Sequence, residues 1–196
     1  MEKPLIYLAS TSPRRRELLK QIGVPYELIN GEVDETAQPA EPAHLYVERL
    51  ARAKAAAGFL TLQQQGLPSR LVLAADTTVA LDDQILGKPA TAAEAEAVLA
   101  QLSGRQHEVL TAVAISDGER VECAVSVSLV HFAQLGTEAI AAYVATGEPM
   151  DKAGSYGAQG KAAMFIERIE GSFSGVIGLP LFETAQLLGR FGYPLP

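Results

Sequence analysis

The run Leu71-Val72-Leu73-Ala74-Ala75 constrains the fold most strongly, because it is apolar at every successive position. An unbroken apolar run of this length is typical of a strand that is buried on both faces, whereas alternation would indicate one solvated face. Strands of that kind lie at the centre of α/β sheets, with helices covering both sides. The run therefore predicts a central strand that ends at Asp76, after which Thr77 to Leu81 continue in an extended conformation.

The rest of the chain alternates between helical and extended patterns. Apolar spacing predicts helices over 13–22, 42–65, 91–102, 137–145 and 181–188, and strands over 5–9, 26–30, 106–116, 120–134 and 164–169. Early strands are joined through helices, whereas the pair at 106–134 is joined by a turn at Asp117-Gly118. This order predicts an α/β class with a mixed sheet. We expect residues 1–196 to form a single domain, in which two lobes around a cleft have no assignable boundary.

Charge and cysteine content exclude several classes of function. The formal net charge is -7 and the sequence pI is near 5, which argues against binding of nucleic acid or of an anionic membrane. Cys123 is the only cysteine, so an internal disulfide is excluded and a reducing compartment fits. No run approaches about 18 apolar residues and the N-terminus lacks the layout of a signal peptide. The sequence therefore predicts a cytoplasmic protein with no membrane association.

Three arginines, Arg14 to Arg16, fall in the first turn of a predicted helix that Ser12 would cap and Pro13 would begin. A helix N-terminus already carries about half a positive charge, so each cation there costs roughly 0.3–1 kcal/mol. Backbone amides and arginines together suit the oxygens of phosphate. From these residues alone, an anion site and a solvent-exposed arginine run are equally open interpretations.

Further charged residues follow predicted strands or lie in constrained loops. Asp76 would end a buried strand, a place where α/β proteins bind ligands, although an aspartate that caps the next turn is the favoured interpretation when it is taken alone. Glu35 lies in an acidic loop, where solvated carboxylates are the rule. Lys54 falls on the long helix, and Lys88 stands between Gly87 and Pro89. Taken singly, each lysine is best interpreted as solvent-facing.

Several well-known motifs are absent. The stretch 154–161 is rich in glycine and ends in Lys161, but Ser155 and Ala162 occupy positions where a phosphate-binding P-loop needs glycine and Ser/Thr. His107-Glu108 lacks the second histidine of a metalloprotease helix, and Phe173 stands where a hydrolase elbow needs serine. With three histidines and one cysteine, none of them clustered, a structural zinc site is not expected.

The remaining candidates form a set that fits one chemistry. Cations that neutralise phosphate oxygens, beside carboxylates that hold Mg²⁺ or Mn²⁺, are what hydrolysis of a phosphoanhydride requires. The set comprises Arg14, Arg15, Lys54, Lys88, Glu35 and Asp76.

These residues stand in segments that resemble the Maf family. The segments are Ser10-Thr11-Ser12-Pro13-Arg14-Arg15, Glu35, Arg49-Leu50-Ala51 with Lys54, Ala75-Asp76-Thr77, Gly87-Lys88-Pro89, 151–160 and Gly178-Leu179-Pro180. The resemblance implies a nucleoside triphosphate pyrophosphatase, which cuts between the α and β phosphates. The implied fold is similar to that of inosine triphosphate pyrophosphatases, with a mixed β-sheet, surrounding helices and a deep cleft between two lobes.

Three positions resemble the branch of the family that acts on dTTP and UTP, namely Arg14, Thr77 and Gln159. The branch that acts on 7-methyl-GTP has tryptophan, glutamine and glutamate there. The resemblance also implies roles for the other residues. Asp76 would accept the proton of the attacking water and contact Mg²⁺ or Mn²⁺, with Glu35 as a second metal-side carboxylate. Ser10, Arg14, Arg15, Lys54 and Lys88 would bind the triphosphate, while Thr77 and Gln159 would recognise the base.

Two other functions stay open at this point. A relaxed pyrophosphatase could prefer CTP or modified pyrimidine nucleotides, and a nucleotide-binding regulator of cell division would bind without significant turnover. A homodimer is implied by the family alone, and Arg16 has no assigned role.

Overall fold

A seven-stranded mixed sheet forms the centre of the protein, in a computed structural model that describes residues 3–195. The strands are β1 (Ile6–Leu8), β2 (Tyr26–Leu28), β3 (Val72–Leu81), β4 (Gln84–Leu86), β5 (Gln106–Ser116), β6 (Val121–Phe132) and β7 (Ile166–Glu170). Their spatial order is β2-β1-β3-β5-β6-β7, and β4 pairs with β3. Strand β1 runs parallel to β2 and β3, while the other pairs are antiparallel. The predicted α/β class with a mixed sheet is confirmed.

Within the described residues, six α-helices surround this sheet. They are α1 (Pro13–Gln21), α2 (Ala43–Gln64), α3 (Ala92–Leu102), α4 (Thr137–Val144), α5 (Phe173–Ile177) and α6 (Leu181–Arg190). Short 3₁₀ turns cover Glu148–Asp151, Ala153–Ser155 and Lys161–Phe165. Within residues 3–195, no helix combines the length and the apolar character that a membrane crossing requires. The two lobes and the single domain stay predictions.

Strand β3 is buried on both faces, as its apolar run predicts. Leu73 and Ala75 pack in the cluster that contains α1 and α6, whereas Val72 and Ala74 pack in the cluster that contains α2. None of these four side chains is exposed to solvent. Because complete burial of a leucine-sized side chain stabilises a fold by about 1.5–3 kcal/mol, this two-sided packing fixes β3 firmly within the sheet.

Asp76 lies in the middle of β3, so the prediction that the strand ends there is wrong. Strand β5 pairs with β3 from Val72 to Ala80 and places Ala112 opposite Asp76. On the other edge of β3, β1 pairs only at Val72 and Leu73, and β4 pairs only from Val79 onward. The edge between these two short partners is open, and this opening exposes Asp76 to the cleft described below.

Other boundaries differ from the predictions for local reasons. Strand β7 begins at Ile166 instead of Met164, because Lys161–Phe165 form a 3₁₀ turn. Strand β4 and helix α5 were not predicted, since three and five residues are too few to show a period. Ser12 occupies the N-cap position of α1 as predicted, but its hydroxyl does not cap the helix. The predicted cap at Thr91 is confirmed, because its hydroxyl accepts from the amide of Glu94.

Candidate active site

A cleft of about 930 Å³ opens beside the unpaired edge of β3. Its volume falls within the range of roughly 300–1,000 Å³ that is usual for small-molecule sites. All nine residues singled out in the sequence line it: Ser10, Arg14, Arg15, Glu35, Lys54, Asp76, Thr77, Lys88 and Gln159. The structure therefore brings together side chains that are up to 149 positions apart in the chain, from Ser10 to Gln159.

The short β1 strand explains how these side chains meet. After Ala9, whose amide donates to the Leu73 carbonyl, the chain leaves the sheet and enters α1. This departure places Ser10 and the start of α1 on one side of the cleft. Helix α2 crosses behind β3 and directs Lys54 toward the opening, where Asp76 lies. Loops that follow β2, β4 and α4 complete the walls.

Lys54 bridges two carboxylates in this cleft. Its Nζ lies 2.5 Å from Oε1 of Glu35 and 2.7 Å from Oδ1 of Asp76. The side chains of Lys54 and Asp76 are 12% and 10% exposed, whereas that of Glu35 is 49% exposed. The two carboxylates thus share one ammonium group but differ in their contact with water.

This difference in solvation moves the two carboxyl pKa values in opposite directions. Burial raises the pKa of Asp76 above its ordinary value, although Lys54 and Arg15 oppose the rise. Burial also acts to raise the pKa of Glu35, but the hydrogen bond and charge of Lys54, with smaller contributions from Lys88 and Arg15, outweigh it and lower the pKa. Paired groups with pKa values that diverge in this way are suited to different tasks, one as a proton acceptor and one as a constant anion.

The carboxylates fit a metal ion that arrives with a nucleotide. Within residues 3–195, no group of three or more histidine, cysteine or acidic side chains is arranged to hold a metal. Glu35 and Asp76 nevertheless both contact Lys54 Nζ. Mg²⁺ is usually held by one or two carboxylates, several waters and the phosphates of the substrate. The two carboxylates are compatible with that requirement. The dependence on a metal stays a prediction.

The arginines at the start of α1 occupy different environments. Arg15 is held by the protein: its Nε donates to the Gly178 carbonyl at 2.8 Å, Nη1 to Ser10 Oγ at 3.1 Å and Nη2 to Thr77 Oγ1 at 3.1 Å. Burial lowers the pKa of Arg15, and the charge of Asp76 opposes that effect. These three bonds join α1 to the loop after α5, to the turn after β1 and to β3.

Arg14 and Arg16 differ from Arg15, and from each other, in their contacts. Arg14 lines the cleft, and its guanidinium donates to no acceptor of residues 3–195. Arg16 lies outside the cleft lining, and its Nη2 donates to the Thr11 carbonyl at 2.6 Å. Of the three adjacent arginines, Arg14 is therefore the one available to an anion, Arg15 organises the wall, and Arg16 supports the turn before the helix.

The loop from Asp151 to Gln159 contributes cleft residues for which no role was predicted. Lys152 reaches the cleft and is held by Asp151 Oδ1 and by the Glu148 carbonyl. Tyr156 also lines the cleft, and its hydroxyl lies 2.7 Å from Nε2 of buried His107. The glycine-rich composition of the segment was a signal that its backbone is specialised, but it gave no indication of which side chains face inward.

Gly154 and Tyr46 show how neighbouring residues shape the site. Gly154 has φ +68°, and a Cβ there would lie 2.7 Å from the Val79 side chain, so this position accepts only glycine without rearrangement. The hydroxyl of Tyr46, on α2, donates to the Glu35 carbonyl at 3.0 Å. This bond connects the acidic loop to the helix that carries Lys54.

Comparison with known proteins identifies the family of this sequence. The sequence matches the family described as Maf-like protein over residues 5–191. It is 60% identical to a dTTP/UTP pyrophosphatase of Aromatoleum aromaticum over 199 aligned residues, covering 97% of each chain. It is 52% identical to a dTTP/UTP pyrophosphatase of Chromobacterium violaceum, covering 97% of this chain and 96% of the relative.

A solved structure with a similar fold is that of the Staphylococcus aureus Ham1 protein. Its TM-score is 0.54 at 17% sequence identity, and the match covers 95% of this chain and 100% of that chain. At this identity the likeness concerns the fold alone. Family membership depends instead on the sequence matches, which extend over almost the whole chain, and on these grounds the protein belongs to the Maf family.

Proposed function

We propose that the protein hydrolyses dTTP and UTP at the bond between the α and β phosphates and releases the nucleoside monophosphate and pyrophosphate. The observation that carries this proposal is the Glu35–Lys54–Asp76 bridge inside a cleft that Arg14 also lines, with a guanidinium that donates to no acceptor within residues 3–195. The names of the two relatives, both dTTP/UTP pyrophosphatases, support it. The cytoplasm is the proposed location, and a nucleotide is the proposed substrate.

Asp76 is the proposed proton acceptor. Its pKa is raised and so lies closer to neutral pH than the pKa of an ordinary carboxylate, which favours general-base catalysis. A water molecule that loses its proton to Asp76 forms the new oxygen–phosphorus bond, and the α–β anhydride bond breaks. Lys54 keeps Asp76 in place and ionised before the proton is transferred.

Positive side chains bind the triphosphate and neutralise the charge on departing pyrophosphate. Arg14 and Lys88 line the cleft, and Lys54 contacts both carboxylates there. Arg15 contributes its charge and holds Ser10 toward the cleft. A bound Mg²⁺ or Mn²⁺ would supply Lewis-acid polarisation of the phosphate oxygens. Asp76 and Glu35 are the residues that would hold it.

Base recognition is assigned to Thr77 and Gln159, while Arg14 is the third position that resembles the dTTP/UTP branch. Gln159 lies on the exposed side of the cleft, and its amide offers both a donor and an acceptor. The imide edge of uracil or thymine presents carbonyl acceptors on both sides of an N–H donor. The NH₂ group of Gln159 can therefore donate to one of these carbonyls, which leaves the N–H for another acceptor.

The experiment that tests this proposal is a panel of nucleoside triphosphates with direct detection of pyrophosphate, in Mg²⁺ and in Mn²⁺. We expect dTTP and UTP to give the highest kcat/KM, with CTP and 7-methyl-GTP well below them. A preference for CTP would favour the relaxed pyrophosphatase, and binding without release of pyrophosphate would favour the nucleotide-binding regulator. Light scattering of the same preparation tests the homodimer that the family implies.

A further inference from the structure

A buried threonine lies behind the base-recognition residue Thr77. Thr111, on β5, is fully buried and directly opposite Thr77 in the β3–β5 pair. Its Oγ1 lies 2.8 Å from the Gly175 carbonyl oxygen and 3.0 Å from Oγ1 of Thr77. Thr111 does not line the cleft, so it acts on a ligand only through Thr77.

Counting protons fixes the direction of these hydrogen bonds. A carbonyl oxygen can only accept, so the one hydroxyl proton of Thr111 points to Gly175. The bond between the two threonines must then use the proton of Thr77, with Thr111 as its acceptor. Arg15 Nη2 donates to Thr77 Oγ1 from a third direction. Because its only proton is engaged inside the protein, Thr77 can offer a ligand nothing but a lone pair.

Ser10 shows the opposite arrangement on the same guanidinium. Its Oγ accepts from the Ser12 amide at 3.2 Å and from Arg15 Nη1 at 3.1 Å. Both acceptor positions of the Ser10 hydroxyl are therefore used, and its proton is free to be donated. One arginine thus leaves Ser10 as a donor, which suits a phosphate oxygen, and Thr77 as an acceptor, which suits an N–H group.

We propose that Thr111 is a positioning residue for specificity: it keeps Thr77 an acceptor-only group, which favours uracil and thymine over cytosine. The inference rests on the proposed function, in which Thr77 faces the base. The N3 atom of uracil and thymine carries a hydrogen that an acceptor can bind. The N3 atom of cytosine carries a lone pair, which repels the lone pair of Thr77. A site built for one hydrogen-bonding sense rejects the other strongly, since buried groups are left unpaired.

The test compares Thr111→Val with Thr111→Ser. Valine has the shape of threonine but cannot accept the Thr77 proton, so the Thr77 hydroxyl becomes free to donate to cytosine. We expect the ratio of kcat/KM for UTP to that for CTP to fall about tenfold in Thr111→Val, the size of one hydrogen-bond mismatch. Thr111→Ser keeps the hydroxyl and is expected to retain the ratio of the parent protein.

Thr184→Val is the matched control. Thr184 is also fully buried and its hydroxyl donates to the Pro180 carbonyl at 2.7 Å, but it lies in α6 and does not line the cleft. A purely structural role of Thr111 would lower activity on UTP and CTP equally and leave their ratio unchanged, as in Thr184→Val. That result, or a ratio lost equally in Thr111→Ser, would overturn the inference.

A second measurement uses the parent protein and does not depend on folding of a variant. UTP methylated at N3 lacks the hydrogen that Thr77 would accept, so we expect its kcat/KM to be at least about tenfold below that of UTP. Equal rates on the two nucleotides would contradict the inference. The same comparisons made as binding affinities, with non-hydrolysable α,β-methylene analogues, test it independently of turnover. Absence of pyrophosphate release from UTP by the parent protein would instead contradict the proposed function.

Discussion

Lys54 and Asp76 form an ion pair in which both side chains are about nine-tenths buried, with Nζ 2.7 Å from Oδ1. Loss of one member of such a pair leaves the other as a poorly solvated charge. Burial still raises the pKa of Asp76 despite the lysine. The Asp76 carboxylate is therefore stabilised in its ionised form by Lys54 and yet accepts a proton more readily than an ordinary carboxylate, as a general base must.

Replacement of Asp76 by asparagine is expected to lower turnover of dTTP about 10²–10⁴-fold, the usual contribution of a general base. Asparagine keeps the size of the side chain and an oxygen for Lys54, so we expect the fold to persist. Release of pyrophosphate measures the first effect, and thermal unfolding measures the second. Asp83→Asn, in the exposed β3–β4 turn, is the control. Turnover at the parent rate in Asp76→Asn would remove Asp76 from the reaction.

Glu35→Gln separates the two carboxylates. We expect the concentration of Mg²⁺ needed for half-maximal activity to rise about tenfold or more, as is typical when a metal site loses a supporting group. Chelation of the metal should abolish activity of the parent protein, and added Mg²⁺ or Mn²⁺ should restore it. Glu32→Gln changes another acidic residue of the same loop that lines the cleft without contacting Lys54. An equal metal requirement in both variants would exclude Glu35 as a metal-side carboxylate.

Glu35→Gln should also change the pH dependence of activity. The charge of Glu35 is one of the factors that raise the pKa of Asp76. Activity requires ionised Asp76, so it is expected to fall as the pH drops through that raised pKa. Without the Glu35 charge the pKa of Asp76 decreases, and the acidic limb of the kcat profile, measured at saturating metal, should move to lower pH. A shift to higher pH would contradict this electrostatic account.

The sequence predicted the central layers of the fold because those layers are set by local rules. The two-sided burial of β3 follows from its apolar run, and the β5–β6 hairpin follows from its turn, where Asp117 Oδ1 accepts from two backbone amides. The position of Asp76 within β3 could not be predicted, since an acidic residue normally ends an apolar strand. It is tolerated there because β1 and β4 leave that edge open and Lys54 arrives from α2.

The candidate site was predicted less completely than the fold. The resemblance identified nine residues that do meet in one cleft, although their roles stay predictions. It could not reveal that Arg15 donates all three of its bonds to the protein, because those acceptors come from the turn after β1, from β3 and from the loop after α5. Thr111 was missed for the same reason. Its hydroxyl acts through contacts between strands that no spacing in the sequence records.

Arg14→Ala and Arg16→Ala distinguish two neighbours in the first turn of α1. Arg14 is available to the triphosphate, so its loss should raise KM about tenfold to a hundredfold, the range expected for hydrogen bonds to a charged group. Arg16 donates to the Thr11 carbonyl and lies outside the cleft lining, so its loss should leave KM near that of the parent. Initial rates over a range of UTP concentrations measure both. Equal increases would indicate that the arginines act only through their general charge.

His107 predicts how the stability of the fold depends on pH. Burial, with a smaller contribution from the charge of His131, lowers the pKa of His107 to about 4. An unfolded histidine has a pKa of about 6.5, so the unfolded state binds more protons than the folded state between these two values. The contribution of His107 to the free energy of unfolding is therefore fully present above about pH 6.5. It decreases as the pH falls toward 4, by up to about 3 kcal/mol.

His107→Gln should remove that contribution, because glutamine does not titrate yet can still bond to the Tyr156 hydroxyl. We expect the parent protein to lose more stability than the variant between pH 6.5 and pH 4.5, as measured by urea unfolding at several pH values. Carboxylates titrate in both proteins, so the difference between the two curves isolates the histidine. His44→Gln, at an exposed position of α2, should follow the parent curve. Parallel curves for the parent protein and His107→Gln would show that His107 is protonated without loss of the fold.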